Sequence, residues 1–165
     1  MSVLIPAAAA AALAAEAAAF GARGLETGGF LLTSRAAPDD GYPSVTAIAL
    51  AGDAGIDRHR DMFQVSERAL ARLFTFADGH GLWIPAMLHS HRDAAFLSAT
   101  DERHGLRADG FVSVVIPRYA SPPGDPASWG WWRFESGRWL DAPPGRTAGE
   151  AAAVLRFDEG GVRGA

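Results

Sequence analysis

The stretch Trp83-Ile-Pro-Ala-Met-Leu-His-Ser-His-Arg-Asp-Ala-Ala-Phe-Leu-Ser-Ala-Thr-Asp101 is the part of the chain from which the rest can be placed. Trp83 to Leu88 is a short apolar run and reads as a strand. Residues two apart on a strand face the same way, so His89 and His91 project side by side while Ser90 points away. Two imidazoles so placed can share one metal ion. Further on, Ser98-Ala-Thr-Asp101 has the spacing of a capping box, with Ser98 as N-cap and a carboxylate at the third helical position. That turn brings Asp101 back over the end of the strand. Two histidines and one carboxylate, with a fourth position left to water, form a catalytic zinc arrangement.

Each part has an ordinary reading by itself. A histidine at a strand end is usually solvated or hydrogen-bonded, and Ser-x-x-Asp is most often only a helix cap. Their combination behind an apolar strand favours a metal site. It is similar to the His-x-His and Ser-x-x-Asp signature of the JAMM (JAB/MPN) metalloprotease family, and the resemblance runs from Glu26 to about Leu140. The family also has a glutamate near the start of an earlier strand, and Glu26-Thr-Gly-Gly-Phe-Leu-Leu32 matches that context. The resemblance implies one zinc ion per chain held by His89, His91 and Asp101. It also implies Glu26 as general base and acid, and Ser98 as a hydrogen-bond donor to the oxyanion of a tetrahedral intermediate.

Two features depart from the family pattern. Arg92 follows the second histidine where proline is usual, and the loop 92–97 is one residue shorter than is common. Both changes lie between ligands and leave the ligands intact. Asp93 is an alternative to Asp101 but lacks the capping context. His59, in a charged loop, reads more simply as solvated than as a ligand.

A chain of 165 residues suits one core, and no linker or internal repeat divides it. Residues 1–157 read as one domain and 158–165 as a flexible tail. The net charge of −4 and pI near 5.7 give no general attraction to nucleic acid. The absence of cysteine excludes disulfides, thiolate zinc sites and a cysteine nucleophile, and fits the cytoplasm, which is the expected location. The Ala-rich run near the N-terminus has no basic segment before it, the first positive residue being Arg23. Pro6 interrupts it, and it is shorter than the roughly 20 residues of a membrane span, so no membrane association is expected.

Around the central stretch, Ser2 to Ile5 reads as a first strand, and Pro6 suits the first turn of a helix. Ala7 to Phe20 is nearly pure helix former, with Gly21 as its stop. Because Glu16 is its only charged residue, burial over most of its surface is expected. Glu26 to Thr33 and Ser44 to Leu50 read as strands, the second covered on both faces. Gly28-Gly29 marks either a bulge or a close backbone approach. Ser34 to Pro43 is a polar turn, Ala51 to Met62 a charged loop, and Phe63 to Val65 short and extended.

Ser66 caps a helix whose apolar stripe is Leu70, Leu73, Phe74 and Ala77. Phe111 to Ile116 is a buried strand. Trp129 to Leu140 is a hairpin around Glu135-Ser-Gly-Arg138, with its tryptophans packed on the sheet, and Ala152 to Phe157 is an edge strand. Strands interleaved with helices point to the α/β class, with a mixed sheet and helices on both faces. The family resemblance narrows this to a three-layer α/β/α sandwich of the cytidine-deaminase type.

The resemblance implies a zinc metallopeptidase or isopeptidase that cleaves the amide after the C-terminal glycines of a ubiquitin-like protein. Either a conjugate or a precursor extension would be the substrate, in a pathway that can include an E1-like activating enzyme. A Gly-Gly tail has no side chains, so it can run extended through a narrow channel and pair with a sheet edge. Three alternatives stay open: release of an amino acid or small peptide from a ubiquitin-like sulfur carrier, a non-catalytic MPN-type interaction scaffold, and the DNA-repair-associated branch of the superfamily. Retention of every ligand weakens the scaffold reading, and the acidic charge balance weakens the last. No His-Glu-x-x-His, Walker or Gly-x-Ser-x-Gly motif competes as an active site.

Overall fold

A computed structural model describes residues 2–34 and 43–165; most of the expected turn from Ser34 to Pro43 lies outside them. In chain order the elements begin with β1 (Leu4–Ile5), α1 (Ala7–Gly21), β2 (Gly28–Ser34), β3 (Val45–Ala51), β4 (Ile56–Arg58) and β5 (Phe63–Val65). Then come α2 (Glu67–Gly79), β6 (Leu82–Ser90), α3 (Ala99–His104) and β7 (Val112–Ile116). A short 3-10 turn at Pro126–Ser128 precedes β8 (Gly130–Glu135), β9 (Arg138–Asp141), β10 (Arg146–Thr147), β11 (Ala153–Asp158) and β12 (Gly161–Gly164).

Eight strands form one mixed sheet in the order β12-β11-β3-β2-β6-β7-β8-β9. β6, which carries His89, pairs antiparallel with β2 and parallel with β7. Side chains alternate along β2, and the two sets enter different cores. Leu31 joins the cluster containing Ala9, Leu13 and Ala17 of α1, while Phe30 and Leu32 join the one containing Ala69, Leu73 and Ala77 of α2. The two long helices thus cover opposite faces of an α/β sheet, and the apolar runs of β2 and β3 are buried on both sides, as their composition requires.

α1 is more one-sided than its sequence suggests. Ala9, Ala10, Leu13, Ala17 and Gly21 are buried, while Ala7, Ala8, Ala11, Ala15 and Ala19 face solvent. Alanine on both faces erases the polar–apolar contrast that normally reveals an amphipathic helix. Gly21 is the last helical residue, and a Cβ there would strike the Tyr119 carbonyl.

Gly28 and Gly29 serve close approach, and the register irregularity in β2 falls later, between Leu31 and Thr33. A side chain on Gly28 would collide with the Leu88 carbonyl oxygen and the Phe63 ring. Gly28→Ala is therefore expected to destabilise the protein by about 1–3 kcal/mol through overpacking. Urea unfolding checks this, and an unchanged midpoint would show that β2 can shift aside without penalty.

Three expectations need correction. The segment 51–62 is not all loop, because β4 pairs antiparallel with β5 and Ile56 is buried. β11 is not an edge strand, since it lies between β3 and β12. Residues 158–165 are not a flexible tail: β12 pairs with β11 from Leu155 to Asp158. The cause is local. The Asp158 carboxylate accepts from Gly160 N–H at 2.8 Å and from Arg163 at 2.9 Å, closing the turn, and Val162 packs against the α2-side core. Among the described residues no helix is long and apolar enough to cross a membrane.

Candidate metal centre

The site forms where β6 ends beside the start of β2. Gly28 lies opposite His89, and the Ser90 N–H donates to the Thr27 carbonyl at 2.8 Å. This antiparallel register carries Glu26, the residue before Thr27, to the level of His91. Glu26, His89 and His91 are all buried, and each offers a ligand atom within 4.8 Å of the others.

Asp101 arrives by the route that its cap implies. The Ser98 hydroxyl accepts from Asp101 N–H at 3.1 Å, and the Ser98 N–H donates to Asp101 Oδ2 at 2.8 Å. The carboxylate so fixed meets His89 Nε2 at 3.1 Å through Oδ1 and His91 Nε2 at 3.3 Å through Oδ2. The two Nε2 atoms are themselves 3.0 Å apart. If each imidazole donates to Asp101, no proton is left to explain why the two nitrogens converge on each other. A tetrahedral cation with bonds of about 2.0–2.1 Å separates its donor atoms by about 3.3 Å. The donor set therefore fits a metal ion.

Electrostatics separates the two acids. Burial, then the charge of Asp101 and that of Asp61, raises Glu26 from 4.5 to about 8. Burial also opposes ionisation of Asp101, but hydrogen bonds with His89 and His91, the charge of His89 and the bond with Ser98 outweigh it. They hold its carboxyl well below the usual carboxylate range. One acid favours its proton while the other stays ionised, the division of labour expected of a proton carrier and a ligand.

The other sequence candidates lie elsewhere. Asp93 is exposed and pairs with Arg92 at 3.0 Å. His59 is exposed, and only its backbone enters the site's scaffold, accepting the Glu26 N–H at 2.8 Å. Phe96, in the shortened loop, is 53% exposed yet packs edge-on against His91, with centroids 4.8 Å apart. A groove lined by Phe63, Gln64, Met87, Thr100, His104 and Ser113 opens beside His89 and Asp101.

Sequence reasoning missed Thr27, Arg58 and Ser90 as parts of this framework. Only Ser90 carried a signal, since it sits between the histidines and must face away from them. Ser98 serves as a cap, and accepting the Asp101 N–H does not use its own hydroxyl proton. Ser98→Ala is expected to cost about 1 kcal/mol from the lost cap, with thermal denaturation as the measurement. Complete unfolding would mean that the cap holds much more than one helical turn.

No protein-family model and no curated protein matches the chain. Solved structures are similar to it, among them two solution structures. One is the solution structure of a protein from Salinibacter ruber (strain DSM 13855), 22% identical, covering 90% of this chain and 94% of that chain with a TM-score of 0.57. The other is the solution structure of protein DSY2949 from Desulfitobacterium hafniense, 15% identical, covering 94% of this chain and 93% of that chain with a TM-score of 0.62. At these identities the likeness concerns the fold alone.

Proposed function

We propose that this chain is a zinc-dependent metallopeptidase or isopeptidase of the JAMM (JAB/MPN) type. Its substrate on this reading is the amide that follows the C-terminal glycines of a ubiquitin-like protein. The observation that carries the reading is the convergence of His89 Nε2, His91 Nε2 and the Asp101 carboxylate within 3.0–3.3 Å of one another, with buried Glu26 beside them. The helices on opposite faces of the mixed sheet are compatible with the three-layer α/β/α sandwich of that family. A cytoplasmic setting and an E1-like activating enzyme in the same pathway belong to the proposal.

The ligands on this reading are His89, His91 and Asp101. Asp101 reaches both imidazoles directly, at 3.1 and 3.3 Å. Zinc at such a site supplies Lewis-acid chemistry, polarising a carbonyl and lowering the pKa of a bound water from about 15.7 to about 7. The protein's own residues do the rest. Glu26, as the carboxylate, would take a proton from the attacking water and return it to the leaving amine nitrogen. Ser98 offers its hydroxyl proton to the developing oxyanion. On this reading an extended tail would approach the reacting centre from the side of the groove beside His89 and Asp101.

The deciding assay incubates zinc-loaded protein with fusions of several ubiquitin-like proteins, intact and with the terminal glycines replaced by bulky residues. Cleavage after the glycines, lost on their replacement, is the expected result. Cleavage that ignores the replacement would leave a general zinc peptidase. Release of only a single amino acid or short peptide from a sulfur carrier would move the substrate to that class.

A further inference from the structure

Arg58 reads in the sequence as one of several charges in a loop, yet its side chain is only 8% exposed. The carboxylate beside it, Asp53, is 3.8 Å away and 98% exposed, so the guanidinium has no comparably buried counter-ion in that pair. Its N–H groups go instead to neutral oxygens. Nε donates to Thr27 Oγ1 at 3.0 Å, and the two terminal nitrogens donate to the Gly52 and Ala51 carbonyls, each at 2.8 Å. The guanidinium lies 4.0 Å from the ring centroid of Phe20 near the end of α1. Desolvating a cation for packing alone is unfavourable, so the forked geometry of its contacts is what needs explaining.

One of those contacts, from Nε, falls on the residue next to Glu26, while the other two tie Arg58 to the Ala51 and Gly52 carbonyls. Thr27 is held by Arg58 through its side chain and by Ser90 through its backbone. The Thr27 N–H donates to Ser90 Oγ at 3.0 Å, and the Thr27 carbonyl accepts the Ser90 N–H at 2.8 Å. The Glu26 N–H donates at 2.8 Å to the carbonyl of His59, the residue after Arg58. The Glu26–Thr27 backbone is therefore held from two sides, by Arg58 and His59 on one and by Ser90 on the other. We propose that Arg58, acting through Thr27, is the positioning residue that holds the Glu26 carboxylate against His89 and His91. The inference rests on the reading of Glu26 as the acid–base group and adds to it what keeps that group in place.

The test uses zinc-loaded full-length protein. Thr27→Val removes the acceptor at nearly constant shape, Thr27→Ser retains it, and Arg58→Lys keeps the charge but cannot span three acceptors. Hydrogen exchange at the Glu26 and Thr27 amides should accelerate in Thr27→Val and Arg58→Lys and stay near wild type in Thr27→Ser. On a glycine-ended ubiquitin-like fusion, Thr27→Val should lower kcat roughly tenfold or more at unchanged KM and zinc affinity, and Thr27→Ser should restore it. Should Arg58→Lys fail to fold, the Thr27 pair still decides. Unchanged kcat in Thr27→Val, or an equal loss in Thr27→Ser, overturns the proposal. If the wild-type protein cleaves nothing, the hydrolase reading fails separately. The exchange measurement needs no substrate, and unchanged exchange at Glu26 then overturns the positioning role.

Discussion

Glu26→Gln is expected to keep the fold and the zinc while losing about 10²- to 10⁴-fold in turnover. The amide preserves the shape of the side chain and can still accept hydrogen bonds, but it cannot carry a proton from water to a leaving nitrogen. Steady-state kinetics on a glycine-ended fusion, with metal content measured on the same preparation, checks the expectation. A loss below tenfold would remove Glu26 from the acid–base role.

The same substitution has a second consequence in metal-free protein. Glu26 is raised from 4.5 to about 8, mainly by burial. The folded state therefore holds the proton more tightly than the unfolded chain. That stabilisation is complete below about 4.5 and is lost as the pH rises through about 8. Wild-type apoprotein should weaken across that window, and Glu26→Gln should flatten the slope. Denaturant midpoints at several pH values report it directly.

Asp101→Ala should reduce zinc from one ion per chain to almost none. The change removes the carboxylate that lies 3.1 and 3.3 Å from the two histidine nitrogens, and with it one partner of the capping box. Mass spectrometry of protein purified without added metal supplies the measurement. Zinc retained in Asp101→Ala but lost in Glu26→Gln would exchange the two roles, which the shared Glu26, His89 and His91 cluster makes a concrete alternative. Asp93 is a poor substitute, because it is exposed and already paired with Arg92.

Much of the centre was legible because its parts are held by short-range geometry. The two-residue period of a strand places His89 beside His91 whatever surrounds them. The capping box returns Asp101 to the strand end through contacts spanning three residues. The same locality made the Ser66 cap, the α2 stripe and the β8–β9 hairpin readable. Where these short-range signals were weak, the reading failed. Alanine on both faces hides the sidedness of α1, and the terminal position of residues 158–165 reads as a tail where β12 completes the sheet.

A paired-histidine strand, a carboxylate that folds back over it, and an α/β chain with strands buried on both faces follow from local residue patterns alone. Which distant acid joins them, and what holds it there, depends on long-range strand pairing. Thr27 and Ser90 are 63 residues apart, and their bond exists because β2 and β6 pair in one register among many. Non-local pairing of this kind is set by packing both sheet faces at once, with Gly28 admitting the close approach and Arg58 bridging separate segments. Such choices depend on the sum of contacts across the whole core, and no local pattern encodes them.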